Sequence, residues 1–344
     1  MPEPRDPAAD LRRIAFLLER SGAPPYRVRA FRGAAAVVIE LPAGELADRV
    51  ASGRLGELRG IGPTTAQVVT ESLAGALPAY LAGLEGAAGA PVVPGGTDLR
   101  AALRGDLHTH SDWSDGGSPI EDMAGAARDL GHDYLALTDH SPRLTVARGL
   151  SADRLRAQLR LVEQLNERFA PFRILTGIEC DILDDGSLDQ DPELLDQLDI
   201  VVASVHSKLA MPREAMTRRL VTAIADERTD VLGHVTGRMV TGRVRPESAF
   251  DPDVVLAACR RFGVALEVNS RPERLDPPRR LLRLAVDAGV LFAIDSDAHA
   301  PGQLDWLPYG CARAADCGVP PDSVVNSWAL DRLLGWATAG TGSS

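Results

Sequence analysis

His108 and His110 stand one residue apart in GDLHTHSDWSDGG, a stretch running from Gly105 to Gly117 that also holds Asp115. Side chains on a strand alternate faces, so two histidines in an H-x-H pair at a strand end point the same way and can share one cation. The stretch therefore suggests metal chemistry, although two polar surface histidines would read the same. The rest of the chain separates the two readings. Apolar runs that read as strands recur at 134–137, 174–176, 200–203, 231–232, 264–268 and 291–294, and the run before His108 makes seven. Each run leads into side chains able to bind a metal or a substrate. In order these are His108 and His110, Asp139 and His140, Glu179 and Asp181, His206 and Lys208, His234, Glu267 and Asn269, and finally Asp295, Asp297 and His299. Six of the seven histidines fall at such ends, which a scatter of surface histidines would not produce. His132, in GHDYLAL, precedes a strand and reads as structural.

Helical stretches such as SADRLRAQLRLVEQLNERF and DPDVVLAACRRFG separate several of the runs, which indicates a parallel α/β arrangement. In a β/α barrel the strand C-termini line one mouth, and that is where these polar residues would gather. Ahead of the barrel, helical spacing predicts helices over 9–22, 25–40 and 43–52. In LGELRGIGPTTAQVVTESL a helix is expected to end at Leu58, with a new one starting near Pro63. Gly60 and Gly62 let backbone N–H groups converge there, with Thr64 and Thr65 in the first turn, an arrangement that suits a phosphate. An ordinary helix connection with a glycine cap has the same pattern. Arg27, Arg29 and Arg32 cluster in YRVRAFR, and residues 86–102, rich in Gly, Ala and Pro, read as a linker. The end, 338–344, reads as a frayed tail.

The 344 residues, 45% hydrophobic, suffice for one large domain and one small one. No run approaches the roughly 18 apolar residues of a membrane helix, and MPEPRDPAAD holds no apolar signal region, so a cytoplasmic protein is expected. Cys180, Cys259, Cys311 and Cys317 show no C-x2-C pairing and read as buried thiols. The net charge of −11 argues against wholesale coating of nucleic acid. That charge is uneven. Residues 1–85 hold ten arginines against ten acids, so the whole excess lies beyond them, and Lys208 is the only lysine.

Leu55 and Leu58 before the glycines, with Ala66, Val68 and Val69 after them, make residues 55–73 resemble the helix-hairpin-helix motif, which grips the DNA backbone without reading its sequence. Residues 9–85, including PYRVRAFRGAA, resemble the small N-terminal domain of family X DNA polymerases. The lyase chemistry of some such domains needs a lysine amine, and this region has none, so no Schiff-base activity is expected. Nor can a linker of about fifteen residues hold the nucleotidyl-transfer core, so polymerase activity is expected to be absent.

DLHTHSDWSDG, LALTDHS, GIECDIL, ASVHSK, LGHVTG, EVNSRPERLD and DSDAH resemble the motifs of the PHP (polymerase and histidinol phosphatase) family, in its order, over residues 104 to about 336. The likeness is to the PHP domains of bacterial family X polymerases. It implies a distorted seven-stranded (β/α) barrel, here at 103–337, preceded by a small all-α domain at 1–85. It also implies two or three divalent metal ions. Carried over by motif, His108, His110, Glu179 and Asp297 hold the first, Glu179 bridges to a second held by His206 and His234, and Asp115, His140 and His299 hold the third. Mixed histidine and carboxylate ligands suit Zn, Mn or Fe rather than Ca.

Such a centre suits phosphate-ester hydrolysis, with Lys208 and Arg274 as candidates for holding the substrate phosphate. No G-x-S-x-G is present and no nucleophilic side chain is assigned. The expected activity is a metal-dependent phosphoesterase on DNA, a 3′–5′ exonuclease or 3′-end phosphatase in repair. The DNA contacts would come from Gly60, Gly62, Thr64, Thr65, Arg27, Arg29 and Arg32. One alternative is a small-molecule phosphatase of the histidinol phosphate type. Another is a non-catalytic DNA-binding scaffold, against which the full set of nine candidate ligands argues.

Overall fold

Local sequence sets the helices of the N-terminal part. Asp6 accepts from the Ala8 N–H at 2.8 Å and so caps α1 (Pro7–Arg20), whose Leu11, Ile14 and Leu18 are buried at helical spacing. Then come α2 (Pro25–Glu40), α3 (Glu45–Ala51), α4 (Pro63–Leu73) and α5 (Ala79–Ala88). A computed structural model describes residues 3–42, 44–88 and 93–338 and divides the chain into two compact units, Met1–Val92 and Val93–Ser344. One expected boundary is corrected. The helix expected over 43–52 forms as α3 and stops at Ala51, where Gly53 takes a left-handed φ of 68° and the Gly53 and Arg54 N–H groups close back on Val50 and Arg49, but no helix reaches Leu58. Only a single 3-10 turn, Leu55–Glu57, then precedes the glycine turn.

The second unit starts with α6 (Thr97–Ala102), inside the stretch expected to be linker. Leu99 and Leu103 bury themselves in the barrel core. Gly96 lies so close to the main chain of Cys311 and Ala312 that a Cβ there would fall 2.4 Å from backbone atoms. The linker residues 89–92 and the tail residues 339–344 lie outside the described residues.

The apolar runs become seven parallel strands in chain order: β1 (Gly105–Thr109), β2 (Tyr134–Leu137), β3 (Arg173–Asp181), β4 (Ile200–Ser204), β5 (Val231–Leu232), β6 (Ala265–Asn269) and β7 (Phe292–Asp295). The helical connections are α7 (Ile120–Asp129), α8 (Ala152–Phe169), α9 (Pro192–Leu195), α10 (Arg213–Ile224), α11 (Pro252–Phe262) and α12 (Arg279–Ala288), followed by α13 (Leu307–Asp316) and α14 (Leu330–Ala337). Side chains inside the ring, among them Leu107, Leu175, Val202, Val231, Ala265 and Ala293, form one buried cluster. All four cysteines are free and buried.

Closure between β7 and β1 differs from the other joins. A single parallel bridge, Thr109 to Ala298, links the two edges, where the His110 N–H donates to Ala298 O at 2.8 Å. Side chains fill the rest of the seam. The buried Asn326 amide donates to Gly105 O at 3.0 Å and Ile294 O at 2.7 Å and accepts from Ile294 N, while Asp295 accepts from Leu107 N at 2.8 Å. No helix among the described residues is long and apolar enough to cross a membrane.

Candidate metal centre

The period-two geometry of β1 turns His108 and His110 to the same side, and the ends of the other strands bring four more imidazoles to them. His108, His110, His140, His206 and His234 form a closed ring of neighbours whose successive centroids lie 4.5 to 5.8 Å apart, and His299 sits 4.1 Å from His110. Glu179, fully buried on β3, occupies the middle. Its Oε2 lies 3.3 Å from His108 Nε2, 3.6 Å from His110 Nε2 and 2.9 Å from His140 Nδ1. Oε1 faces the other way, 3.1 Å from His206 Nε2 and 2.8 Å from His234 Nε2. Asp115 stands over the outer side, its Oδ1 3.4 Å from both His140 Nε2 and His299 Nε2.

Three sets of donor atoms lie close enough to share an ion: His110, Asp115, His140 and His299; His108, His110 and Glu179; and His140, Glu179 and His206, each within 4.8 Å. Compared with the grouping that the motifs imply, His110 and His140 each belong to two sets. Asp297 belongs to none. It is taken up by Arg274 Nε at 3.1 Å, Arg271 Nη1 at 3.4 Å and Asn269 Nδ2 at 3.1 Å, with His110 Nε2 at 3.6 Å. The buried nitrogens fit a cation. His108 Nε2, both nitrogens of His110, His140 Nδ1, His206 Nε2 and His234 Nδ1 have no hydrogen-bond partner, a costly condition unless an ion takes the lone pairs.

Glu179 and the imidazoles compensate one another: against burial, Glu179 holds His108 well above the usual imidazole value and raises His140 to about 10, so an incoming ion would have to displace these protons. Burial alone would push Glu179 up, but His206, His108 and His140 outweigh it and hold the carboxylate well below its usual range. Burial, together with His299 and His140, drives His110 well below the usual imidazole value and so keeps it neutral and able to donate a lone pair. Asp297 is likewise held low against burial, by Arg271, His110 and Arg274.

A cavity of about 300 Å³ opens above the ring, lined by Asp115, His140, Glu179, His206, Asp297 and His299, by Arg271 and Arg274, and by Leu144, Val146, Ala147 and Met239. Arg274 thus lies where the sequence placed it. Lys208 does not. It is 64% exposed, takes a left-handed φ of 52° and pairs with Asp184 away from the cavity lining. Arg271 was missed, although it stands three residues before Arg274 in SRPER, and that shared loop was the available signal. Four described residues other than glycine have positive φ: Arg148, Lys208, Leu275 and Asp297. All four lie on loops that follow barrel strands, where strain collects at functional sites.

In the N-terminal unit, Gly60 takes a φ of 98° and Gly62 caps α4, while Thr64 and Arg29 are exposed. Thr65 is turned inward, its Oγ1 accepting from Gly62 N at 2.9 Å. Arg32 grips Glu19 through two contacts of 2.7 and 2.8 Å, and Arg27 donates to Tyr80 Oη at 2.6 Å, so these two arginines staple helices together.

A parallel barrel with histidines and carboxylates crowded at its strand C-termini defines a class, and the comparisons agree. Residues 106–271 match the PHP domain family and residues 3–76 a helix-hairpin-helix domain. The barrel is a PHP domain, and the chain joins it to a helix-hairpin-helix domain. Over 228 residues, 66% of this chain, it is 41% identical to the DNA polymerase/3′-5′ exonuclease PolX of Bacillus subtilis (strain 168). It spans only 40% of that relative's length. Over 233 residues it is 28% identical to a protein named "probable phosphatase" from Thermoanaerobacter sp. (strain X514), covering 64% of this chain and 89% of the relative. A solved histidinol phosphate phosphatase from Lactococcus lactis matches with a TM-score of 0.45 and 20% identity, covering 63% of this chain and 94% of that one.

Proposed function

We propose that the chain is a metal-dependent phosphoester hydrolase whose substrate is DNA, trimming 3′ ends or removing 3′ phosphates. The observation that carries the hydrolase reading is the buried carboxylate with five imidazoles around it, their lone pairs unpartnered, below a cavity that two arginines line. The residues that would hold the ions are those of the three donor sets, His108, His110, Asp115, His140, Glu179, His206 and His299, with His234 and Asp297 bordering them. Divalent ions held there would polarise a phosphoryl oxygen and make water a stronger nucleophile near neutral pH. Arg271 and Arg274 bind the phosphate oxygens on which charge grows, and their pairing with Asp297 keeps both guanidiniums aimed into the cavity. Ala147, Val146, Leu144 and Met239 exclude water from one side of the bound ester.

Three features favour DNA. The helix-hairpin-helix domain has an exposed first turn at α4, and a glycine-cradled helix start suits a backbone phosphate. The first of the relatives above is named for exonuclease activity. Finally, two loops free of acidic residues flank the cavity. PRLTVARG (142–149) offers exposed Arg143 and Arg148, and the hairpin through Met239 and Arg245 offers exposed Arg243, in a chain whose net charge is −11. A second reading, a small-molecule phosphatase, is favoured by the size of the cavity and by the likeness to the probable phosphatase along most of that protein's length.

The test is hydrolysis of a labelled duplex with a 3′ end by the Mn-loaded protein, beside histidinol phosphate, with Asp297→Ala as the control for contaminating nucleases. Loss of 3′ nucleotides or of 3′ phosphate that vanishes in the variant supports the reading. Intact DNA with phosphate released from histidinol phosphate would replace it with the second one.

A further inference from the structure

We infer that Glu267 is the positioning residue of this centre, fixing which nitrogen of His108 faces the cluster and tying the ends of three strands together. The inference rests on reading the histidine ring as a metal centre. Glu267 lies on β6, fully buried, behind the ring and outside the cavity lining. Its Oε1 is 2.6 Å from His108 Nδ1. Its Oε2 accepts from the backbone N–H of His234 and from Asn269 Nδ2 at 3.2 Å. The same Asn269 nitrogen donates to Asp297 Oδ2 at 3.1 Å.

Both groups on Oε2 are obligate donors, so that oxygen is fixed as an acceptor, and Oε1 is left to meet His108 Nδ1 from behind. With the proton of His108 on Nδ1 and directed at Oε1, the lone pair sits on Nε2. That is the nitrogen 3.3 Å from Glu179 and without a hydrogen-bond partner. A carboxylate behind a ligating imidazole fixes its tautomer and orientation and raises its basicity. One side chain therefore reaches His108 on β1, His234 after β5 and, through Asn269, Asp297 after β7. The ring contributes the donors, and Glu267 sets their direction.

An amide of the same shape cannot do this. In Glu267→Gln the NH2 must face either His108 Nδ1, which forces the proton onto Nε2, or the two donors from His234 and Asn269, which it repels. The experiment titrates metal-stripped full-length wild type and E267Q with Zn2+ by calorimetry and follows thermal unfolding of the metal-free proteins. The expected result is about 10- to 100-fold weaker binding in E267Q, with metal-free unfolding close to wild type. Equal affinity in the two proteins would overturn the inference. A second measurement needs no substitution at 267: 15N NMR of histidine-labelled, Zn-loaded wild type, with the His108 signal assigned by its absence in His108→Gln. Metal on Nε2 with the proton on Nδ1 is expected, and the reverse overturns the inference even if E267Q fails to fold. Wild type that takes up no ion would instead sink the metal reading on which the inference stands.

Discussion

Two arginines and one lysine were within reach of this cavity in sequence, and only the arginines line it. Arg271→Ala or Arg274→Ala should lower kcat/KM on phosphate esters by about 10²- to 10³-fold, the usual loss of a donor to a developing anion. Lys208→Ala should change it by no more than about threefold, since an exposed ion pair contributes little; steady-state kinetics on one substrate decides both. Proximity to His206 made Lys208 attractive, but two residues of chain do not give a direction, and Lys208, on a left-handed backbone, pairs with Asp184 instead. The candidate ligands were legible for the opposite reason: a strand has a fixed period, so its terminal residues have a known side. His132, read as structural, lies buried outside the ring. Burial, helped by Arg100 and opposed by Asp133, lowers its pKa to about 3, from 6.5 in an exposed chain. The folded state then binds fewer protons than the unfolded one, so stability holds above pH 6.5 and falls as the pH drops from there toward 3. Denaturant unfolding of wild type and His132→Phe should show a difference that shifts by about 2 kcal/mol between pH 7 and pH 5. A difference independent of pH would mean that His132 takes up its proton in the folded protein.

Strands and helices were legible in their middles and less so at their ends. The apolar run at 174–176 marks the first half of β3, but the strand continues to Asp181, so Glu179 is held by ladder bonds on both sides rather than by a loop. Polar residues inside a strand break the apolar pattern, which is why the run looked short. The helix of 97–102 was hidden by Gly and Pro before it, and only the barrel surface that buries Leu99 makes it stable. The loop of Arg271 and Arg274 has a support that no pattern reveals: buried Arg313 donates to Asn269 O at 3.2 Å and to Pro277 O. At the β7–β1 seam, Asn326→Ala should cost about 3 kcal/mol, because it leaves Ile294 N and Gly105 O buried without partners. Chemical denaturation measures this, and a loss below about 1 kcal/mol would mean that water replaces the amide.

At the scale of the molecule, a neutral helical unit and a strongly acidic barrel suggest a division of labour, with one part gripping a polyanion and the other working on its end. Binding to duplex DNA should weaken at least about tenfold between 50 and 200 mM salt, as counterion release requires. It should also weaken in Arg29→Glu with Thr64→Glu, two exposed positions of the helical unit. Fluorescence anisotropy reads both, and binding indifferent to salt would remove the helical unit from the substrate grip. The division into two parts follows the change in composition along the chain, whereas the irregular closure of the barrel left no mark, because it depends on what β1 and β7 lack rather than on what they contain. The edges of the barrel meet at one backbone bridge and a few side-chain links, from Asn326, Asp295 and Asp106, yet His108 and His110 stand on one side of that join and Asp297 and His299 on the other. Ions shared across it would buckle the cylinder shut. A chelator would then do more than silence the chemistry: it would open a route for protease attack and amide exchange, so that the supply of metal sets the lifetime of the folded chain as well as its turnover.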